Sequence, residues 1–464
     1  MGRKTVCDFT IIALMLLLPA GAWAKKKDVF TWEEVPAEHW AIAEDSARQI
    51  FDAAMIFEKI TADDEKMDEH ECYRTIYRRI RILNEAGREW ADVKVPIFFD
   101  EQEIEKIQGR TLLPDGTVIE LQEDQIFKKE AVRVKRDKVH EYSFSLPGVT
   151  DDCIVEYMMK IRMPSYVTAW ILQKEIALFH GELRWKLAEV RTHRMWVSML
   201  NEWVTPNYLW LNTTKEPSVT KLPNIKEATE LVFEIDDIPP FEDEPFSLPP
   251  PSLKQKIYCY YGSNQAAAAF WGKLATSIVQ SADRFCKGSK KLKKVVESFG
   301  PVESDEEKIE KAFGWLQDSI LNLTYEDLFE RRRNKKPKKK DPKRNIDIDD
   351  LVKRRYGSRL EIAYTFWDML REMNVDAKIA FATDRNENLF VPKAKYWQFN
   401  RPLVAVKNAA GAYDFYAPGT ACTPSDHIPW FNEGVEALIG GVENYVAPVS
   451  FSPSSLTTKT HTYR

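Results

Sequence analysis

The hydrophobic pattern changes its period twice along the chain. Residues Ala41 to Asp52 place apolar side chains at helical spacing and predict a short amphipathic helix. Strict alternation then takes over in Cys72 to Leu83, Val93 to Ile97 and Lys106 to Leu112, the period-2 signature of half-buried strands. Asn84-Glu85-Ala86-Gly87 and Pro114-Asp115-Gly116-Thr117 separate these runs and predict hairpin turns, glycine supplying positive φ. The first half of the chain therefore reads as all-β, an antiparallel, sandwich-like unit.

Pro239, Pro240, Pro245, Pro249, Pro250 and Pro251, interleaved with Glu242, Asp243 and Glu244, rule out helix and central strand and predict a unit boundary. Helical periodicity follows in Ala266 to Cys286 and Ser304 to Leu321. Ser358 with Glu361 three residues later spells a capping box, and Ile362, Ala363, Phe366 and Leu370 then form one buried face of a helix starting at Arg359 and closed by Asn374. Ala377 to Ala382, Leu403 to Val406 and Tyr413 to Tyr416 predict strands packed on that helix. The fold class is α+β and multidomain.

At 464 residues with 44% hydrophobic and 12% aromatic side chains, the chain is long enough for two to four domains with substantial cores. Arg3 and Lys4, the apolar run Ile11 to Pro19, and Ala22-Trp23-Ala24 predict a secretory signal peptide cleaved after Ala24 and an exported protein, periplasmic or extracellular. Cleavage removes Arg3, Lys4 and Asp8, leaving 64 basic and 70 acidic residues, a net charge of −6 that selects no partner class. Cys72, Cys153, Cys259, Cys286 and Cys422 are odd in number and lack Cys-x-x-Cys spacing, so a disulfide framework is not indicated, although one bridge is allowed. His39, His70, His140, His180 and His193 show no ligand spacing, so neither a metal site nor a cofactor is expected.

Helix, strand, strand and strand after Tyr356 resemble the core of the bacterial transglutaminase-like, papain-like fold. That family's pattern is Gly-x-Cys-x-Asp/Glu at the helix start, Asn-His-x-x-Val at a strand start, and Asp-Pro after the next strand. Gly357, Glu361, Asn400, Val404 and Pro418 match, whereas Arg359 stands at the Cys position, Arg401 at the His position and Ala417 at the Asp position. The resemblance thus implies a scaffold without its triad, since guanidinium offers no lone pair as nucleophile or base and alanine orients nothing. The phrases IRILNEAG, LLPDGTVI, SLPGVTDDCIVEYMMKIR and FEIDDIPPFEDEP resemble the uncharacterised β-rich domain that precedes such domains in exported bacterial proteins, over Ile56 to Ser252. The expected division is 1–24 signal peptide, 25–252 β-rich domain, 253–425 transglutaminase-like domain and 426–464 tail.

The resemblance implies a non-catalytic binding or structural module of the cell envelope, whose partner is an envelope protein or an anionic ligand. It would bring Arg359 and Arg401 together, so that either an internal ion pair, with Glu361 as the candidate, or a bound anion must separate the two cations. The alternative is a thiol-dependent acyl-transferase or hydrolase using Cys422, with His427 and Asp426 nearby; such a thiol lacks the helix dipole that catalytic cysteines of this fold use. Residues 331–344 read RRRNKKPKKKDPKR, ten basic and one acidic. Arg331, Arg332, Arg333, Lys338, Lys339 and Lys340 suit a solvated loop or peripheral contact with an anionic surface, and the run lacks the aromatics that stack nucleic-acid bases. Trp170, Trp185, Trp196, Trp203 and Trp210 are read as sheet-packing core in preference to a carbohydrate platform.

Overall fold

The structure, a computed structural model, describes residues 30–41, 51–67, 71–97, 102–134, 137–163, 168–188, 195–197, 202–223, 228–245, 247–263, 265–325, 343–387, 389–395, 398–443 and 445–452. The signal-peptide segment, most of the basic run 331–344 and residues 42–50 of the expected first helix lie outside them. The helix that is described nearby is Ala37–Ala41, and strand begins at Ala53.

An eight-stranded sheet dominates the first half. In spatial order its strands are Ser218–Pro223, Ala228–Ile238, Leu178–Lys186, Ala53–Lys66, Glu71–Ile82, Ile154–Met163, Glu103–Leu112 and Val118–Glu120. All neighbours run antiparallel except Ala53–Lys66 beside Leu178–Lys186, which are parallel. One face carries Ile80, Ile82, Val155, Met159, Leu183, Trp185 and Phe233 into the main core. The other buries Ile56, Phe57, Tyr77, Ile154 and Met158 beneath Phe30, Trp32, Val35 and Trp40 of the N-terminal segment. Two further sheets complete this half, one formed by Asp92–Ile97, Asp137–Ser145 and Phe127–Val134, the other by Met195–Val197, Glu202–Leu211, Lys256–Gly262 and Thr168–Ile171.

Of the two predicted hairpins, the Pro114–Thr117 turn is one: Leu112 pairs with Val118, and Gly116 adopts φ +87°. The Asn84–Gly87 turn is not. It leads into a 3-10 helix, Ala86–Ala91, that carries the chain to a different sheet. Gly87 is needed there for close approach, because a β-carbon would lie 2.0 Å from the Asp52 carbonyl oxygen. Beyond the proline-rich stretch the chain returns to the first half, where the wholly buried strand Lys256–Gly262 pairs with both Glu202–Leu211 and Thr168–Ile171.

The second half follows the predicted order. Helices Ala267–Cys286, Lys290–Glu297, Asp305–Ser319, Ile348–Arg354 and Arg359–Glu372 surround a five-stranded antiparallel sheet ordered Tyr413–Tyr416, Arg401–Lys407, Ala377–Ala382, Glu436–Ile439, Val446–Pro448. In Arg359–Glu372 every residue from Ile362 to Leu370 is buried, so this helix is the centre of the unit. Its capping box is made in full: Ser358 Oγ accepts from the Glu361 amide and Glu361 Oε2 accepts from the Ser358 amide at 2.7 Å. Asn374 closes it at φ +58°, with the Val375 amide returning to the Leu370 carbonyl. Leu323–Tyr325 forms a 3-10 turn, preceded by the two-residue strand Leu321–Asn322, which pairs in parallel with Tyr356–Gly357. No described helix is long and apolar enough to cross a membrane.

Candidate functional site

Arg359 is the first residue of the central helix, and its amide donates to Thr324 Oγ1 at 3.1 Å. Against it sits the loop that follows Tyr413–Tyr416. A β-carbon on Gly419 would lie 2.5 Å from the Arg359 carbonyl oxygen and 2.6 Å from its Cγ, so only glycine allows this approach. The loop is fixed from behind by Asn322, whose Nδ2 donates to the Gly419 carbonyl at 2.8 Å, and by Gln317, whose Nε2 donates to the Pro418 carbonyl at 3.1 Å.

Arg401 opens the strand Arg401–Lys407, second from the edge of the five-stranded sheet, and pairs with Ala382 of the middle strand. Its Nε donates to Asp384 Oδ2 at 2.8 Å, a second guanidinium nitrogen reaches the same carboxylate, and the guanidinium stacks 5.0 Å over the Phe431 ring. Asp384 is almost wholly buried beneath it. The internal ion pair foreseen for this region is therefore made by Arg401 with Asp384. Glu361, the foreseen partner, spends Oε2 on the Ser358 amide and on Asn345 Nδ2. Ala417 is 1% exposed and packs with Ala380, Ala382, Leu403 and Phe415. None of these three side chains supplies a nucleophile or a proton acceptor; a charge-assisted contact to an anion is the chemistry they retain.

Cys422 is exposed in a turn at φ +61°, not at a helix start, and His427 Nδ1 lies 2.7 Å from Asp426 Oδ1. Cys72, Cys153, Cys259 and Cys286 are buried and unbridged. Burial pushes the Cys72 thiol up to about 12 and raises Cys153, Cys259 and Cys286 as well, which keeps them protonated and inert. Of the basic run, Lys343 and Arg344 are described; both are exposed and line a cavity of about 580 Å³ with Arg284, Tyr356 and Leu360.

Trp170 and Trp185 are core residues, as expected, and each donates its indole N–H to a buried carboxylate, Glu58 at 2.7 Å and Asp64 at 2.9 Å. Trp210 packs against the same core; the side chains of Trp196 and Trp203 lie outside the described residues. The large sheet brings together a group that linear spacing does not show. His180, Glu182 and Glu234 offer three ligand atoms within 4.8 Å of one another. Linear spacing misses such a group because its members come from two paired strands, and alternation of polar residues in both was its only trace in the sequence.

Residues 69–242 match DUF3857, a domain of unknown function with a solved structure. No curated protein matches the chain. Among solved structures, a putative protease from Parabacteroides distasonis superposes with a TM-score of 0.54 at 11% identity, over 87% of this chain and 72% of that one. A putative nutrient binding protein from Legionella pneumophila gives a TM-score of 0.22 at 9% identity, over 70% of this chain and 94% of that one. Leukotriene A4 hydrolase from yeast gives 0.22 at 6% identity, over 51% and 35%.

Proposed function

We propose that residues 253–425 are a transglutaminase-like, papain-like domain that has lost its triad. The chain, carrying its DUF3857 region ahead of that domain, would be exported after cleavage behind Ala24 and act as a non-catalytic binding or structural module of the cell envelope. The observation that carries the reading is Arg401: where the resemblance expects an imidazole, a guanidinium is held by buried Asp384 and stacked on Phe431, a structural anchor with no lone pair to give. Arg359 at the helix start and buried Ala417 complete the loss. The fold shared with a putative protease agrees with descent from a catalytic scaffold.

The experiment offers the purified protein a glutamine-containing peptide with a labelled amine, and separately a casein substrate. The wild type is expected to give no turnover above buffer. The triple variant R359C/R401H/A417D asks whether the triad alone is missing, and its new thiol should alkylate far faster than Cys422 if the helix dipole still serves the site. Turnover by the wild type that Cys422→Ser abolishes would overturn the reading in favour of the thiol enzyme. The anionic-ligand role of Arg359 and Arg401 is read in the same preparation: calorimetry with envelope-derived anionic polymers should weaken on Arg359→Ala, and equal binding by the variant removes it. Intact-mass measurement on protein from the exporting cell tests cleavage after Ala24.

A further inference from the structure

We infer that the outer face of the eight-stranded sheet carries a divalent transition-metal site built from His180, Glu182 and Glu234, with Asp236 as the positioning residue. His180 and Glu182 are two residues apart on the strand Leu178–Lys186 and so project to one face, opposite to that of Leu183 and Trp185, which enter the core. The neighbouring antiparallel strand Ala228–Ile238 sets Glu234 directly opposite Glu182 and Asp236 directly opposite His180. This register brings a ring nitrogen and two carboxylate oxygens within 4.8 Å of one another; two ligands at about 2.0–2.2 Å from one ion stand at most about 4.4 Å apart, so small side-chain rotations would close the group on a metal.

Two observations separate this group from an ordinary acidic patch. The first is the imidazole and the way it is held: Asp236 Oδ1 lies 2.7 Å from His180 Nδ1, the carboxylate–histidine arrangement that fixes a ligating ring in the tautomer whose other nitrogen carries the lone pair. The second is the facing of Glu182 and Glu234. Like charges directly opposite on paired strands destabilise a sheet, and a cation between them reverses the sign. Arg184 bridges Glu182, through Nε at 3.5 Å, and Glu230, through Nη1 at 3.2 Å, while Glu234 accepts from the Ser218 hydroxyl at 3.4 Å. One imidazole and two carboxylates suit Zn²⁺ and its first-row neighbours; the nitrogen ligand disfavours Ca²⁺ and Mg²⁺. Three protein ligands leave a coordination position open to water or to a ligand donor atom. All four residues fall within the stretch matched to DUF3857, and the inference is independent of what residues 253–425 do.

The test is Zn²⁺ titration of the metal-stripped full chain by calorimetry, with stoichiometry checked by elemental analysis after dialysis. The wild type should retain one equivalent, and its melting temperature should rise with added Zn²⁺. His180→Ala and Glu234→Gln should each lose the bound equivalent and the thermal response, and Asp236→Asn should bind about 10–100-fold more weakly. Since these side chains lie on the outer face, the variants should match the wild-type melting temperature in chelator, which separates loss of metal from loss of fold. His427→Ala is the control, because His427 forms a similar pair with Asp426 and, among the described residues, belongs to no three-ligand group. Retention of the equivalent by His180→Ala, or an equal loss in His427→Ala, would show adventitious imidazole binding and overturn the site. Binding of Ca²⁺ in place of Zn²⁺ that survives His180→Ala would overturn it too.

Discussion

Arg79 and Glu156 face each other across adjacent strands with Nε and Oε1 2.6 Å apart, and both side chains are completely removed from solvent. The other guanidinium nitrogens of Arg79 reach the Glu33 and Glu34 carbonyls and His39 Nδ1, and its plane stacks 4.7 Å over Phe57. A single buried cation thus joins the large sheet to the segment that crosses it. Arg79→Ala leaves Glu156 buried with Arg110 as its remaining cation, and removal of one partner of such a pair costs about 3–5 kcal/mol. Urea denaturation should show that loss, and a change below about 1 kcal/mol would mean that the pair is not closed in solution.

The same segment gives a pH dependence. Burial and then the Arg79 guanidinium hold the His39 imidazole below the ordinary 6.5, against the opposing pull of Glu38, Glu156 and Glu33. The sign follows: below pH 6.5 the unfolded chain takes up a proton that the folded site resists, so stability falls as pH drops through that value. Hydrogen-exchange protection of residues 30–41 should be lower at pH 5.5 than at pH 7.5, and His39→Gln should flatten the difference. At lower pH a second group enters. Burial opposes ionisation of Glu58, but Lys174 and Arg78 win and pull its carboxyl down to about 2, so its contribution is complete above the ordinary 4.5 and lost between there and 2.

Gly419 bears on the proposed dead site. Any side chain there collides with the Arg359 backbone, so Gly419→Ala should cost about 1–3 kcal/mol through forced displacement of the loop. Thermal melting gives the magnitude. If the loop is free to move, the variant will melt with the wild type.

Proteolysis after Glu242 or Glu244, in the exposed proline-rich crossing, should nick the chain without separating its halves. Lys256–Gly262 remains paired with Glu202–Leu211 and Thr168–Ile171 on the far side of the cut. The fragments should co-elute in gel filtration until urea is added. Immediate separation would show that the pairing does not hold the halves together.

Local signals were the legible ones. Ser358 and Glu361 announced a helix start that forms with both capping bonds, and the alternation of Cys72 to Leu83 announced a strand found at Glu71–Ile82. What alternation cannot convey is which strands become neighbours. Lys256–Gly262 stands beyond a proline cluster that reads as a boundary, yet its partners lie on the other side, because hydrogen-bonded pairing is decided by the sheet edge left open and not by distance in sequence. The same limit hid Asp384 as the partner of Arg401, seventeen positions earlier on the adjoining strand's exit, and Glu234 as the neighbour of His180. Buried charges were illegible for a further reason: Arg79, Glu58 and Glu156 occupy core positions in strands whose composition reads as amphipathic surface.

The parallel neighbour of Ala53–Lys66 sets an order in time. Glu71–Ile82 follows at once and can pair with one edge, but the other edge waits for Leu178–Lys186, more than a hundred residues downstream. At ~5–20 residues per second of synthesis, that edge stays bare for on the order of ten seconds, long enough for a fourteen-residue strand to meet a copy of itself. Glu58, Lys59, Asp63, Asp64, Glu65 and Lys66 punctuate the strand. Before Glu58 is neutralised by Arg78 and Lys174, and Asp64 by Arg74, in the finished sheet, the charges of this strand serve the nascent chain as gatekeepers against self-association.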